Sequence, residues 1–295
     1  MVSLGHITEK THVMGLPKRR SSLFMGMLVA LAVILIALPT ECRSDSLDWS
    51  GFATAGLEVW LTRMEGRIGF EREPGATGTL NDFTEDLGLP AGNTTFRLLI
   101  GARPLEHHLV RLYGSIPEFY RAEKGLERQL RTKNNIYNPG TVVRSESRYG
   151  MYGFGYDLDF LVGPRWFGGL NGDIRYLDYR VRLSAPGTGN EDTATLSEVT
   201  PCVGAHVQGR LPVIDQRFPS LGLGIFGRMT YGMTPNFINY NDITVGVSFT
   251  LAPWGYVALD LKAGYALESL SEQNVNGRDL EFERAGLMFS VQAAF

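Results

Sequence analysis

Apolar side chains recur at every second position along most of this chain. In the last nine residues, Leu287, Phe289, Val291, Ala293 and Phe295 share one face of a strand, because alternate strand side chains point to opposite faces. The same alternation, bounded by turn residues, predicts ten strands. They cover Trp49–Ile68, Thr94–Arg103, His107–Arg121, Arg148–Val162, Leu170–Leu183, Thr195–Leu211, Leu221–Met233, Ile243–Leu251, Val257–Leu267 and Leu287–Phe295.

One predicted strand departs from simple alternation. In Leu170–Leu183 the apolar face switches between Tyr176 and Leu177. One extra residue moves the following side chains to the other face of a strand. We therefore predict a β-bulge at this point.

The links between the predicted strands alternate in length. Those near Pro104, Gly163–Gly168, Pro212–Arg217 and Pro253 are short. The links at Gly69–Asn93, Ala122–Ser147, Ser184–Ala194 and Ser271–Leu280 are longer, polar or glycine-rich, and only Thr234–Tyr240 is modest. Short periplasmic turns and long external loops are typical of outer-membrane barrels, whereas a soluble β-sandwich has no reason to separate loops this way. We predict an all-β, transmembrane, antiparallel up-and-down barrel of about ten strands, with eight or twelve as alternatives.

Aromatic side chains gather near the predicted strand ends, as in the interfacial belts of membrane proteins. This interpretation covers Trp49, Trp60, Trp166, Phe167, Trp254 and Tyr256.

The beginning of the chain has the pattern of a secretory signal peptide. Lys18, Arg19 and Arg20 precede an uncharged apolar run, Leu23–Leu38, which is shorter than the ~20 residues of a spanning helix. We predict a signal peptide over residues 1–44 and a barrel domain over residues 45–295, with an uncleaved anchor as the alternative. Met14 is an alternative translation start that gives a leader of ordinary length.

Composition limits the possible functions. The net charge of the whole chain is −3. Residues 1–44 carry five basic and two acidic residues, so the chain that remains without them has a net charge of about −6. An acidic chain of this kind argues against nucleic acid as a partner. Past the predicted leader Cys202 is the one cysteine, and the cysteine and histidine spacings match no zinc site. We expect no cofactor and no metal.

If the apolar positions face lipid, the alternate positions line the lumen. Both charge signs occur there, which predicts mutual ion pairing, with Asp157, Asp159, Asp173 and Arg175 facing Arg97, Arg111 or Arg210. Ten strands also enclose a narrow space. The candidate lumen residues are Glu58, Arg97, Arg103, Arg111, Asp157, Asp159, Asp173, Arg175, His206, Arg210, Arg228, Asp260, Lys262, Glu268 and Arg284.

The sequence contains parts of two kinds of catalytic site. Asp157 and Asp159 share a strand face, as paired acids can in the barrel proteases of the omptin type, but His206 has Gly204 and Gln208 beside it where such a site needs an acid. A lipase-type dyad needs a serine near a histidine on the lumen face, and His107 and His108 lie at a short turn without one. We expect a non-enzymatic protein, with lipid or peptide hydrolysis as a less favoured alternative.

Three segments resemble small Gram-negative outer-membrane barrels of uncharacterised function, of the OmpA/OmpW type of architecture. Asn81–Leu89 is similar to an acidic stretch ending Asp-Leu-Gly-Leu, and Tyr149–Leu161 and Gly168–Asp178 are similar to paired strands of these proteins. The strand ending in Phe295 resembles the terminal strand that the outer-membrane assembly machinery recognises. The resemblance implies outer-membrane lipid and this machinery as partners, and it carries no catalytic residue.

From these patterns we predict a porin-like protein of the cell envelope. Its expected role is a narrow channel or a binding barrel for a small solute. A non-conducting structural or surface-recognition barrel is the alternative.

Overall fold

The structure is a computed structural model that describes residues 52–73, 76–105, 107–132, 134–163, 165–211, 221–234, 238–251, 257–272 and 279–295. The predicted signal peptide, residues 1–44, lies outside this part of the chain, so its cleavage stays a prediction. Trp49, Trp254 and Tyr256 also lie outside it. None of the described residues belongs to a helix with the length and hydropathy that a membrane crossing requires.

The described residues form fourteen strands. Several are longer than predicted, and three short ones, β2, β6 and β7, lie where long loops were expected. The strands are β1 (Ala53–Glu73), β2 (Ala76–Asp82), β3 (Gly92–Leu105), β4 (His108–Ser115), β5 (Glu118–Gly125), β6 (Leu130–Arg131), β7 (Ile136–Tyr137), β8 (Val142–Val162), β9 (Trp166–Ala185), β10 (Asn190–Leu211), β11 (Leu221–Met233), β12 (Ile238–Leu251), β13 (Ala258–Glu272) and β14 (Asp279–Ala294).

Twelve of these strands form one closed antiparallel sheet, in which β14 returns to pair with β1 from Thr54↔Ala294 to Gly69↔Asp279. β2 and β3 pair with successive parts of β1, and β4 and β5 pair with successive parts of β8. Each of these two couples is one stave of the barrel, so the twelve strands make ten staves. The predicted ten-stranded, up-and-down barrel is confirmed.

The half of the barrel next to the short turns is apolar outside and polar inside. Leu98, Ile100 and Leu170 are 56–57% exposed on the outer face, while Arg97 and Asn171 beside them are buried on the inner face. This is the reverse of a water-soluble protein, and a closed barrel leaves no strand edge unpaired in lipid. The chain is therefore an outer-membrane β-barrel.

The other half of the barrel reverses this arrangement. In β9, Ile174 and Tyr176 face outward, but beyond them Leu177, Tyr179 and Val181 are buried inside while Arg180 is exposed outside. The predicted bulge is wrong, since Leu177 pairs in regular register with Met151 and Glu198. The apolar side chains change face because the strand leaves the lipid, so its outer face meets water and its inner face meets a core.

This core, which we call the outer core, fills the bore at the long-loop end. Phe83 contacts Tyr179 and Phe282 with ring centroids 6.0 and 6.5 Å apart, and Tyr149 packs on Phe282 at 5.1 Å. Its buried members in the barrel wall and the loops include Met64, Ile68, Phe83, Leu87, Leu89, Tyr149, Met151, Leu177, Tyr179, Val181, Leu183, Tyr240, Leu270, Leu280 and Phe282.

The acidic segment singled out by the resemblance is an inward excursion between β2 and β3. Asp82 Oδ1 accepts hydrogen bonds from the amides of Thr84 and Glu85 at 2.8 Å, which starts a single tight turn. Gly88 ends it with a φ of +67°, a conformation that favours glycine. Phe83, Leu87 and Leu89 are thereby placed in the outer core, at most 1% exposed.

Candidate functional site

The short-turn half of the barrel encloses a cavity of about 660 Å³. Its lining extends from Ala258 and Phe295 at the short-turn rim to Trp60, Tyr113 and Asp242 at mid-height. The volume lies within the range of about 300–1,000 Å³ that is usual for small-molecule sites.

The charged residues singled out from the sequence lie on inner-face positions. Asp173 is 3% exposed behind the wall of the cavity, and Glu268 and Arg284 are buried farther up the barrel. The cavity is lined by Glu58, Arg97, Arg103, Arg111, Asp157, Asp159, Arg175, His206, Arg210, Arg228, Asp260 and Lys262.

Two arginines and two aspartates form the centre of the cavity wall. Arg111 binds Asp157 at 2.9 Å and Asp173 at 3.0 Å, and Arg228 binds Asp157 at 3.0 Å. This group needs the glycine at position 155, because a Cβ there would lie 2.3 Å from Asp173 Oδ1. The predicted pairing of Arg111 with Asp157 and Asp173 is therefore present.

From the top of the cavity upward, a continuous set of ion pairs crosses the bore, and we call it the ion-pair layer. Arg175 donates to Asp242 at 2.8 Å and to Asp173 at 2.9 Å. On the opposite side Arg284 binds Glu118 and Glu268. Tyr240 Oη joins the two sides, accepting from Arg175 and donating to Glu268 Oε1 at 2.9 Å, and Tyr149 also donates to Glu268. Buried charges paired in this way avoid the large cost of an isolated charge.

The rim of the cavity carries a separate group. Asp159 accepts from Arg103 at 2.8 Å and contacts His206 Nε2 at 2.6 Å, rather than an arginine of the predicted set. Lys262 Nζ lies 3.2 Å from Asp260, its neighbour on the same strand face. Arg210 donates to the Leu221 carbonyl at 2.6 Å.

The deep end of the cavity is built around Arg97. Its Nη1 lies 3.6 Å from Glu58 Oε2, and its guanidinium stacks 4.3 Å from the ring centre of Trp60. Trp60 is 2% exposed and Phe167 lines the cavity, so placing these two in an interfacial belt was wrong. Both side chains occupy inner-face positions of their strands.

Several residues of the site were not singled out from the sequence. Glu118 was missed because Ile116 and Pro117 interrupt its stave, and Asp242 because the predicted strand began one residue later. In each case the signal is a polar residue in phase with the inner face of its strand. Tyr113 and Tyr149 were missed because an aromatic in a barrel strand fits either face, and Tyr240 because it was placed in the link before the predicted strand.

No protein-family model matches the chain, and no curated protein matches it. Among solved structures, the outer membrane protease OmpT from Escherichia coli is similar, with 13% identity over 87% of this chain and 100% of its own, and a TM-score of 0.41. The translocator domain of the autotransporter NalP from Neisseria meningitidis shows 12% identity over 94% and 97% of the two chains, with a TM-score of 0.37. The attachment invasion locus protein Ail of Yersinia pestis shows 9% identity over 81% and 98%, with a TM-score of 0.29. These likenesses carry no functional residue over to this chain.

Proposed function

We propose that the protein is a non-conducting outer-membrane barrel that binds a small solute in the cavity of its short-turn half. The observation that carries the proposal is the contrast between the two halves of the bore. One half holds a cavity of about 660 Å³, and the other is filled by the outer core. Because short turns lie on the periplasmic side of such barrels, the cavity lies in the periplasmic half of the barrel.

The barrier between the cavity and the outside has two parts in series. The ion-pair layer holds Arg175 and Arg284 with at most 2% of each side chain exposed. The aromatic cluster of the outer core lies above it. This arrangement favours the binding barrel over the narrow channel, since an ion would have to displace buried ion pairs and a packed core.

Conductance in planar lipid bilayers tests the closed bore. Protein purified from outer membranes, with folding verified by its heat-modifiable migration, should give no steady conductance. A steady conductance of the size made by general porins would refute the proposal.

Thiol labelling tests the open cavity, with two positions of equal burial. Thr250 and Ala194 are each 9% exposed on the inner face, but Thr250 lines the cavity and Ala194 belongs to the outer core. With the buried Cys202 first replaced by alanine, a small water-soluble thiol reagent should modify Thr250→Cys and spare Ala194→Cys. Equal labelling of both positions would contradict the division of the bore.

We also propose that the protein acts without catalysis. The carboxylates that could serve as acids or bases are held on both sides, Asp157 by Arg111 and Arg228, and Asp159 by Arg103 and by Nε2 of His206. A carboxylate bound on both sides has little freedom to move a proton. Hydrolysis of lipid or peptide substrates by the purified protein, lost in Asp159→Asn, would contradict this.

A surface-recognition role is the second candidate, and the ordered cap at the long-loop end favours it. Asp192 accepts hydrogen bonds from Thr132 at 2.7 Å, Asn135 at 2.8 Å and Tyr137 at 2.7 Å, which fixes the β6–β7 hairpin on the barrel. A rigid external surface lowers the entropy lost when a partner binds. Cell-surface binding that is lost in Asp192→Ala, with folding intact, would support this role.

We propose that the barrel assembly machinery recognises β14 during insertion into the membrane. Its outer face presents Leu287, Phe289 and Val291, each 46–53% exposed, and Phe295 is 56% exposed beyond them. Phe295→Asp should lower the amount of folded protein in cells while leaving refolding in detergent intact. Equal amounts of folded protein from both chains in cells would overturn the proposal.

A further inference from the structure

Four polar atoms at the deep end of the cavity have no hydrogen-bond partner among the described residues. They are Nε and Nη2 of Arg97, Nε1 of Trp60 and the hydroxyl of Tyr113. The three side chains are between 2% and 7% exposed, and all three line the cavity. Buried polar atoms are satisfied in the great majority of cases, so this group requires a partner.

These atoms are of one chemical kind. The guanidinium and indole N–H groups can only donate, and the phenol hydroxyl is free to donate. The partner that satisfies them is therefore an acceptor. Glu58 meets this need only in part, since its carboxylate lies 3.6 Å from Nη1 of Arg97, on the other arm of the guanidinium.

The charge around the same point favours an anion. The guanidinium groups of Arg97, Arg111 and Arg175 all lie 5.6–5.8 Å from the ring centre of Tyr113. The cavity lining has seven lysines and arginines against five aspartates and glutamates, and Asp173 behind the wall neutralises one more charge through Arg111 and Arg175, which leaves a surplus of one positive charge. The surplus lies in a confined space, where charge interactions are stronger than in water.

Apolar side chains complete the deep end. Leu99, Phe226 and Met288 line the cavity, and Phe226 packs against the buried group of Trp60 and Met288. A ligand that fits this arrangement has an anionic end and an apolar body.

We propose that the deep end of the cavity binds the anionic group of a small organic acid or phosphate ester, with Arg97, Trp60 and Tyr113 donating to its oxygens. This inference rests on the proposed function and names the class of solute. Arg97 supplies the charge and the directional N–H groups, since a guanidinium matches carboxylate and phosphate oxygens. Trp60 holds that guanidinium in place by stacking.

Four probes that share one benzene ring separate charge from apolar binding. Benzoate and phenyl phosphate are anionic, benzyl alcohol is neutral and benzylamine is cationic. Calorimetry on the detergent-purified protein should show the two anions binding at least tenfold more tightly than the other two. Slower thiol labelling of Thr250→Cys in the presence of each anion should show that the probes occupy the cavity.

A charge-balanced variant tests the role of Arg97. Glu58→Gln with Arg97→Gln removes one charge of each sign and should weaken benzoate binding at least tenfold. The control is Arg63→Gln with Glu65→Gln, which removes an exposed pair 3.1 Å apart on the outer face of the same strand. The control should bind benzoate as the unchanged protein does.

The outcomes separate this inference from the proposed function. Equal affinity for all four probes, or unchanged benzoate binding in the charge-balanced variant, overturns the anion site while the cavity stays a binding site. If no probe slows the labelling of Thr250→Cys, the inference fails. If that cysteine is also unreactive without a probe, the proposed function fails with it.

Discussion

At the scale of single residues, the glycine at position 88 decides whether Phe83 and Leu87 can enter the barrel. Its φ of +67° is a left-handed conformation that costs other residues about 1–2 kcal/mol. A Cβ at this position would also lie 3.1 Å from Cβ of Lys124. The turn is thus possible with glycine and strained with any larger residue.

We expect Gly88→Ala to lower the free energy of unfolding by about 1–2 kcal/mol or more, because strain and crowding add. The matched control is Gly140→Ala, where φ is +86° but nothing lies within 4 Å of the added methyl group. Urea unfolding in detergent micelles measures both. A smaller loss for Gly88→Ala than for Gly140→Ala would contradict this account.

Asp86 ties the same turn to the external loop, since Arg128 donates to its carboxylate and to the Leu80 carbonyl. Burial raises the pKa of Asp86, but the hydrogen bonds from Arg128 and the Asp82 amide and the charges of Arg128 and Lys124 together outweigh it, so the pKa lies below its ordinary value. A lowered pKa means that the tie is fully present above the unfolded pKa of about 3.9 and is lost as pH falls through the folded value.

Proteolysis of the loop around Arg128 should therefore accelerate only in strong acid, below about pH 4. In Asp86→Asn the same loop should be cut faster at neutral pH, with little further change in acid. The ion pair between Arg128 and Asp86 should contribute about 0.2–1 kcal/mol to the stability of this loop, because it is partly exposed. An acid response retained in Asp86→Asn would assign it to another group.

At the scale of the strand, β9 carries two opposite patterns without a break in pairing. Its first part presents Leu170 and Ile174 to lipid, and its second part turns Leu177 and Val181 inward. A two-residue period is kept throughout, and the surroundings alone change from lipid to water. The apparent shift in phase marks the height at which the barrel leaves the membrane.

Arginine substitutions on one outer face should reveal this boundary. Leu170→Arg, near the middle of the apolar band, should cost about 2–4 kcal/mol, which is the range for arginine near the bilayer midplane. Thr193→Arg lies on the exposed outer face of β10 above the band and should cost less than about 0.5 kcal/mol. Unfolding from lipid vesicles measures both, and equal costs would place the boundary elsewhere.

At the scale of the whole molecule, the ion-pair layer joins strands that are distant in sequence. Arg284 of β14 reaches Glu118 of β5 and Glu268 of β13 with none of its side chain exposed. Removing one partner of a buried ion pair typically costs 3–5 kcal/mol, because the other charge is left uncompensated.

We expect Arg284→Met to lower barrel stability by about that amount, 3–5 kcal/mol, because two buried carboxylates lose their cation. Adding Glu118→Gln and Glu268→Gln to the same chain should recover most of the loss. Thermal unfolding in detergent, read from heat-modifiable migration, compares the variants. No recovery in the triple variant would mean that Arg284 acts through packing.

The alternation of apolar and polar residues is enough to predict ten staves and the inner face of each strand. Glu58, Arg97 and Asp157 follow from phase alone, because a strand side chain has two directions and lipid accepts few charges. Phase does not tell which charges meet. Arg97 contacts Glu58 on the neighbouring strand and Asp159 contacts His206, because the register and curvature of the closed barrel set these distances.

The sequence by itself determined the closed barrel, its strand order and its lipid-facing band, since these depend on local period and on links between successive strands. Only the tertiary structure decided that the long-loop half has an apolar core, that Trp60 faces inward beneath Arg97, and that the bore is a cavity at one end. The physical reason is that a two-residue period records which side chains share a face. Whether that face meets lipid, water or a core depends on its height in the barrel, and height is set by the pairing of all ten staves.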